Sequence, residues 1–102
     1  MIFKQEHVDM ILAGTKTQTR RLNRGYYKVG HTYAIQPCRT CIGVPGYRIF
    51  MDLIWEEWVE CGTNAAAEGG YTIEEFERLF RELYPKWDGK KRWAYEFHVV
   101  KV

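Results

Sequence analysis

The stretch ILAGTKTQTRR, residues 11–21, joins a predicted helix to the first predicted strand. Gln5–Ala13 has apolar residues at helical spacing, and Gly14 stands where a left-handed residue commonly closes a helix. Thr17–Leu22 is rich in threonine and is followed by turn residues, which is typical of a strand. The chain is therefore expected to pass from helix to sheet within this stretch, which carries three cations and no acid.

Three more strands and one more helix are predicted downstream. The helix begins at Thr72, which forms a capping-box pattern with Glu75, and it ends before Pro85. The strands are Thr32–Gln36, Tyr47–Val59 and Arg92–Val102, and the apolar helix face holds Ile73, Phe76, Leu79, Phe80, Leu83 and Tyr84. Short strands in a small domain favour a curled or closed sheet that hides its edges. The sequence therefore predicts an α+β domain, a small β-barrel of mostly antiparallel strands with two or three helices packed at its ends.

The two long strands have an alternating pattern that predicts which side chains fill the core. In the first, apolar Ile49, Met51 and Leu53 alternate with other residues. In the second, Trp93, Tyr95, Phe97 and Val99 alternate with polar residues, which predicts one buried face. Trp55 and Trp93 are accordingly expected to pack in the core.

Length and composition limit the protein class. The 102 residues are too few for two self-sufficient cores, so residues 1–102 are expected to form one domain. No apolar run approaches the roughly 20 residues of a membrane-spanning helix, and the first residues lack the pattern of a signal peptide. The prediction is a cytoplasmic protein without a membrane partner.

The net charge of +2 conceals a strong asymmetry along the chain. No Asp or Glu occurs from Met10 to Met51, whereas Asp52–Glu82 is strongly acidic. A basic half favours a phosphate-bearing partner such as RNA, because cations placed against phosphates release counterions. The alternative is that the two halves neutralise each other within the fold.

Lys16 and Thr19 could act as a base and a nucleophile. The hydroxyl of Thr19 needs a nearby neutral amine, and Arg20 and Arg21 could help to depress the pKa of Lys16. Residues three apart point to opposite faces of a regular strand, so the backbone after Gly14 must turn or bulge for the two side chains to converge. The alternative is an exposed threonine strand whose cations are solvated.

Glu68 precedes two glycines and is predicted to lie in a loop, from which a carboxylate can point into a cleft. The alternative is a solvated surface glutamate.

Cys38 and Cys41 have the spacing of half a zinc site, but no second cysteine pair or closely spaced histidine pair exists. We therefore expect no metal, and free thiols kept reduced in the cytoplasm.

Tyr26 and Tyr27 lie between Arg24 and Lys28, a combination that could stack a nucleobase and pair with its phosphate. Most other aromatic residues are expected in the core. No Walker loop, dinucleotide glycine pattern or metalloprotease motif is present.

The order of these motifs resembles the ASCH domain, a PUA-like family. The resemblance rests on ILAGTKTQTRR, YKVGHTYAIQ, AEGGYTIEEFERLFRELYP and WAYEFHVV, which occur in the family's order over nearly the whole chain. It implies a small PUA-like β-barrel with a cleft beside the helices and a link to RNA or modified nucleosides. Some ASCH proteins remove the acetyl group of N4-acetylcytidine with a Lys, a Thr and a Glu. Others are associated with ribonuclease activity or with RNA binding alone.

Carried over by motif, the resemblance implies Lys16, Thr19 and Glu68 as catalytic residues. Lys16 would take the proton of Thr19, and Glu68 would orient the base or help to protonate the leaving amine. The residues expected to bind the nucleoside or nucleic acid are Thr17, Arg20, Arg21, Arg24, Tyr26 and Lys28. No motif requires a cofactor or an obligate protein partner. A non-catalytic RNA-binding module and a ribonuclease remain alternatives.

Overall fold

Four strands and two α-helices make up the fold. The computed structural model describes residues 1–102. Helix α1 is Gln5–Leu12 and helix α2 is Ile73–Leu83; the strands are β1 Gln18–Arg21, β2 Thr32–Ala34, β3 Tyr47–Trp58 and β4 Lys91–Lys101. Short 3-10 turns cover Val59–Cys61 and Ala66–Glu68. Each predicted helix and strand is present, and none of its ends differs from the prediction by more than two residues.

The sheet is antiparallel in the order β1-β4-β3-β2 and curls into a half-barrel. The α+β prediction is therefore confirmed, with the sheet as a curled half-barrel. The long strands β3 and β4 pair along almost their whole length, and β1 pairs with the middle of β4. Thr19 faces Tyr95 across that pair, so the last residues of the ILAGTKTQTRR stretch form an edge strand beside the middle of β4.

A β-bulge at Asp52 changes the alternation predicted for β3. Met51 pairs with Phe97 but Leu53 pairs with Glu96, which leaves Asp52 as an extra residue. Ile49 and Met51 are fully buried as expected, whereas Leu53 is 53% exposed. The prediction that Leu53 shares the buried face was wrong because one inserted residue turns the following side chains over.

The main core lies between α1 and the concave side of the sheet, and it includes Val8, Ile11, Ile49, Met51 and Phe97. A second cluster under α2 holds Ala65, Phe76, Phe80 and Trp87. Trp55 and Trp93 are only half-buried, although Trp93 packs against the main core, and β4 also buries Arg92 and Ala94 on the face opposite Trp93. The expectation of a single buried face on β4 was therefore wrong over residues 92–95.

The capping box that begins α2 is confirmed. The hydroxyl of Thr72 accepts from the backbone N–H of Glu75 at 3.2 Å, and the Glu75 carboxylate accepts from the N–H of Thr72 at 3.1 Å. Only Phe76 and Phe80 of the predicted apolar face are fully buried. Leu79 and Leu83 are 40% and 63% exposed.

Cys38 and Cys41 form a disulfide in the connection between β2 and β3. The expectation of free thiols was therefore wrong for this pair, since their spacing of three lets both sulfurs meet across one tight turn. Cys61 is free and exposed. Neither helix has the length and apolarity required to cross a membrane.

Candidate functional site

A cavity of about 510 Å³ opens between the start of α1, strand β1 and helix α2, and we call it the cleft. Its size lies in the range of small-molecule sites. One wall is apolar and comes largely from α2, and the floor is polar. The lining residues are Ile2, Phe3, Lys4, Glu6, His7, Lys16, Thr19, Arg20, Arg21, Glu68, Tyr71, Phe76, Leu79, Phe80, Glu82, Leu83 and Tyr84.

Lys16 and Glu68, which are distant in sequence, form a buried ion pair in the floor of the cleft. The ammonium Nζ of Lys16 donates to Glu68 Oε1 at 3.0 Å and to the backbone carbonyl of Glu68 at 2.9 Å. Both residues are less than 5% exposed. Glu68 is therefore a buried partner of Lys16, and the alternative of a solvated glutamate does not hold.

The same carboxylate is shared with Arg20. Arg20 Nη1 donates to Glu68 Oε2 at 2.8 Å, while its Nε and Nη2 donate to the two carboxylate oxygens of Glu57 at 2.8 and 2.9 Å. Glu57 in turn accepts from Arg92 Nε at 3.2 Å, and Arg92 also pairs with Glu77. We call these six residues, Lys16, Glu68, Arg20, Glu57, Arg92 and Glu77, the buried ion network.

The charges of the buried ion network are equal in number and opposite in sign. Three cations face three carboxylates, as buried charges require if they are to remain ionised. The guanidinium of Arg92 also lies over the rings of Phe76 and Phe80, at 4.9 and 4.6 Å from their centroids. The network thus extends from the floor of the cleft to the underside of α2.

Burial lowers the pKa of Lys16 below its ordinary value. The carboxylate of Glu68 opposes this shift, whereas the charges of Arg21 and Arg20 add to it. Burial alone would raise the pKa of Glu57, but its bonds to Arg20 and Arg92 hold it below the ordinary value. The lowered pKa of Lys16 brings the neutral amine closer to physiological pH.

The hydroxyl of Thr19 is free of intramolecular hydrogen bonds and lies on the cleft. Thr19 is 5% exposed and lines the cavity. Every side-chain nitrogen or oxygen that is fully buried has a hydrogen-bond partner, and the Thr19 hydroxyl has none, so its oxygen is not fully buried. Lys16 precedes the start of β1, and its N–H bonds to the carbonyl of Met10 at the end of α1. The strand alternation therefore does not apply between Lys16 and Thr19, and both side chains reach the cleft.

The loop that carries Glu68 is held against both α1 and β1. The backbone N–H of Thr17 donates to the carbonyl of Ala67 at 2.8 Å, which fixes the 3-10 turn beside β1. Gly69 has φ +140°, and a Cβ there would lie 2.6 Å from the sulfur of Met10. This position therefore requires glycine for its backbone angle, and a Cβ there would in addition displace the Met10 side chain.

His7 and Tyr71 line the cleft but were not predicted from the sequence. His7 Nε2 lies 3.1 Å from the Tyr71 hydroxyl, so the pair joins α1 to the segment that follows Glu68. Burial and the charge of Lys16 lower the pKa of His7, while burial raises the pKa of Tyr71. A lone histidine on a short helix gives no motif, and its partner lies 64 residues away. Only the structure could reveal this pair.

The predicted site residues divide into two groups. Five of them line the cleft: Lys16, Thr19, Arg20, Arg21 and Glu68. Thr17, Arg24, Tyr26 and Lys28 do not: Tyr26 is fully exposed, and the guanidinium of Arg24 lies over the ring of Trp93 at 5.5 Å. The guanidinium of Arg20 forms ion pairs with Glu57 and Glu68. Of the two predicted arginines that line the cleft, Arg21 is therefore the one without a carboxylate partner.

The molecule is thus a small α+β domain, a curled antiparallel sheet with a cleft whose polar floor joins the sheet to the loop before α2. No family model and no curated protein sequence matches the chain. Solved structures do match: the ASCH domain from Lactobacillus crispatus JV V101 has a TM-score of 0.77 and 15% identity, over 95% of this chain and 72% of that chain. Two mutant forms of ZmASCH from Zymomonas mobilis have TM-scores of 0.69 and 0.68 and identities of 14% and 15%.

The fold is that of an ASCH domain, as the sequence resemblance had implied. The match covers 96% of this chain but only 66% and 65% of the two Zymomonas mobilis chains, so the chain spans about two thirds of their length. At these identities the likeness concerns the fold, and the chemistry of the cleft has to be argued from its own residues.

Proposed function

We propose that the cleft binds a modified cytidine and hydrolyses its N4-acetyl amide, with Thr19 as the nucleophile and Lys16 as the base. The observation that carries this proposal is the combination in one cavity of an unpaired hydroxyl on Thr19 and a buried amine on Lys16 with a lowered pKa. A hydroxyl needs such a base to attack an amide. The apolar wall formed by Phe76, Leu79 and Phe80 supplies a surface for the base and its acyl group.

The proposed reaction runs through an acyl-enzyme. Neutral Lys16 accepts the proton of the Thr19 hydroxyl as its oxygen forms a bond to the acetyl carbon. The bond from that carbon to N4 breaks, and the amine leaves with the proton that Lys16 had received. Water then attacks the ester on Thr19, with Lys16 accepting its proton, and releases acetate and the free hydroxyl. Glu68 positions Lys16, because its carboxylate and its backbone carbonyl both accept from the ammonium.

The test is incubation of the protein with N4-acetylcytidine and chromatographic measurement of cytidine release. We expect Thr19→Ala to abolish turnover and Thr19→Ser to retain part of it, since serine keeps the hydroxyl. Lys16→Met is expected to reduce kcat by at least a hundredfold, the usual contribution of a general base. Turnover that is unchanged in Thr19→Ala would contradict the mechanism.

One observation favours a second candidate, in which the same cleft binds a nucleoside or RNA without chemistry. Lys16 is paired with Glu68, and this pairing stabilises its charged form, which suits binding but not base catalysis. If Lys16 instead acts as a base, the rate of hydrolysis should rise with pH as the lysine loses its proton. The midpoint of that rise should lie below pH 10.5, because the pKa of Lys16 is lowered from that ordinary value. A chain that binds cytidine but releases none from N4-acetylcytidine at any pH supports the binding module. Cleavage of RNA by the same preparation would instead support a ribonuclease.

A further inference from the structure

Arg21 is held at the cleft in a fixed orientation while most of its donors remain free. Its Nη2 donates to the backbone carbonyl of Ile2 at 2.7 Å, and its guanidinium lies over the ring of Phe3 at 5.3 Å from the centroid. A guanidinium has five N–H donors, and the structure uses one of them. The side chain is half-buried, lines the cleft and forms no ion pair.

The charge of Arg21 is the one at the cleft floor that no carboxylate balances. The other two cations of the floor, Lys16 and Arg20, belong to the buried ion network, in which three carboxylates match three cations. The remaining charged residues of the cleft, Lys4, Glu6 and Glu82, are exposed at its rim, where solvent screens them. A half-buried cation beside an apolar wall attracts an anion more strongly than those rim charges do.

Arg21 and Thr19 lie on the same face of β1, because residues two apart in a strand point the same way. Their Cα atoms are therefore separated by about 6.7 Å along the strand. Because the side chain of Arg21 is long, its charged group can lie farther from Thr19 than the two Cα atoms lie from each other. A ligand that spans this distance with its base at Thr19 brings a group on its sugar to Arg21.

We propose that the ligand of the cleft is a nucleotide rather than a nucleoside, a cytidine whose sugar phosphate binds the free donors of Arg21. This inference rests on the proposed function, since it takes the modified cytosine to lie at Thr19. An arginine fork matches two phosphate oxygens, which gives both affinity and a fixed orientation. A free mononucleotide is the ligand that we assign, because the single unbalanced cation matches one terminal phosphate.

A phosphate bound to Arg21 would also raise the pKa of Lys16. The charge of Arg21 lowers the pKa of Lys16, and a phosphate on Arg21 would offset that effect. Deacylation of the nucleotide should therefore reach its maximum at higher pH than deacylation of the nucleoside. This difference provides a kinetic readout that a merely structural role of Arg21 would not produce.

The test is calorimetric titration with cytidine, cytidine 5′-monophosphate and a short RNA that has cytidine at an internal position. At low salt we expect the monophosphate to bind roughly tenfold or more tightly than cytidine, as a charge-assisted contact would give. Arg21→Gln should remove that preference, while Arg21→Lys should keep part of it. Arg39→Gln, which removes the same charge from an exposed loop, should bind as the parent chain does.

Equal affinities for cytidine and its monophosphate, or a preference that survives in Arg21→Gln, would overturn the assignment. Tighter binding of the RNA than of the monophosphate would also overturn it, in favour of a polynucleotide. Absence of binding by all three ligands would also overturn this inference, while turnover of N4-acetylcytidine tests the proposed function separately. Because the titration uses no acylated substrate, a chain without turnover but with Arg21-dependent binding leaves the phosphate site standing and removes only the hydrolysis.

Discussion

Replacing Glu57 by glutamine removes one negative charge from the centre of the buried ion network and leaves the side-chain volume almost unchanged. Glu57 is 6% exposed, and its carboxylate accepts four hydrogen bonds: two from Arg20, one from Arg92 and one from the Thr63 hydroxyl. Glutamine can offer one carbonyl oxygen, and its amide N–H groups would face other donors. Removal of one partner of a buried pair typically costs about 3–5 kcal/mol because it leaves the other charge uncompensated.

Glu56→Gln is the matched control, because it makes the same change at the neighbouring position. Glu56 is exposed and its oxygen lies 3.5 Å from Lys91 Nζ, so the expected cost is about 0–1 kcal/mol. Urea unfolding followed by tryptophan fluorescence measures the loss of stability in both variants. With a slope of about 1.5 kcal/mol per molar, the midpoint of Glu57→Gln should fall by about 2–3 M and that of Glu56→Gln by less than about 0.7 M. Equal midpoints for the two variants would refute the assignment of Glu57 to a buried charged network.

The pH dependence of this difference has a definite sign. The folded-state pKa of Glu57 lies below its ordinary value of 4.5, so its contribution to stability is fully present above pH 4.5. That contribution is lost as the pH falls through the folded-state value. The gap between the parent chain and Glu57→Gln should therefore stay constant at pH values well above 4.5 and should close in more acidic buffers. A gap that widens with acid would contradict the linkage.

Two further predictions test the parts of the cleft that hold Glu68 and His7. Gly69→Ala should lower both the unfolding midpoint and binding in the cleft, because a φ of +140° is unfavourable for alanine and the added Cβ would also displace the Met10 side chain. Gly70→Ala has a φ of +86° and meets open space, so it should cost only about 1 kcal/mol. Similar urea midpoints for the two variants would contradict this. Lys16→Met should raise the pKa of His7 in an NMR titration, since the charge of Lys16 lowers it; an unchanged pKa would mean that Lys16 is neutral while His7 titrates.

The elements that could be predicted from the sequence are those with a strong local pattern. The capping box at Thr72 and Glu75 and the β-rich segments depend on neighbouring residues, and the structure contains each of them, whereas the predicted apolar face of α2 is buried only at Phe76 and Phe80. The bulge at Asp52 was missed because its cause is the register between β3 and β4. No residue near Asp52 marks a place where one strand has an extra residue.

In the candidate site, too, the residues within a motif could be predicted, whereas the contacts between distant residues could not. The resemblance singled out Lys16 and Glu68, and the structure joins them by an ion pair. The roles of Glu57, Glu77 and Arg92 could not be predicted, because in the sequence these residues look like ordinary surface charges on a strand and a helix. Charged residues are buried only where they form ion pairs with residues of other elements, and those ion pairs depend on the tertiary fold.

The buried ion network bears directly on whether Lys16 can act as a base. If Glu68 were paired with Lys16 alone, loss of the lysine proton would leave a buried carboxylate without any cation, at a cost of several kcal/mol. Glu68 also accepts from Arg20 at 2.8 Å, so its charge stays compensated when Lys16 is neutral. Arg20 is in turn held by Glu57, which Arg92 also contacts. In the proposed mechanism Arg20, Glu57 and Arg92 therefore lower the free-energy cost of the neutral form of Lys16.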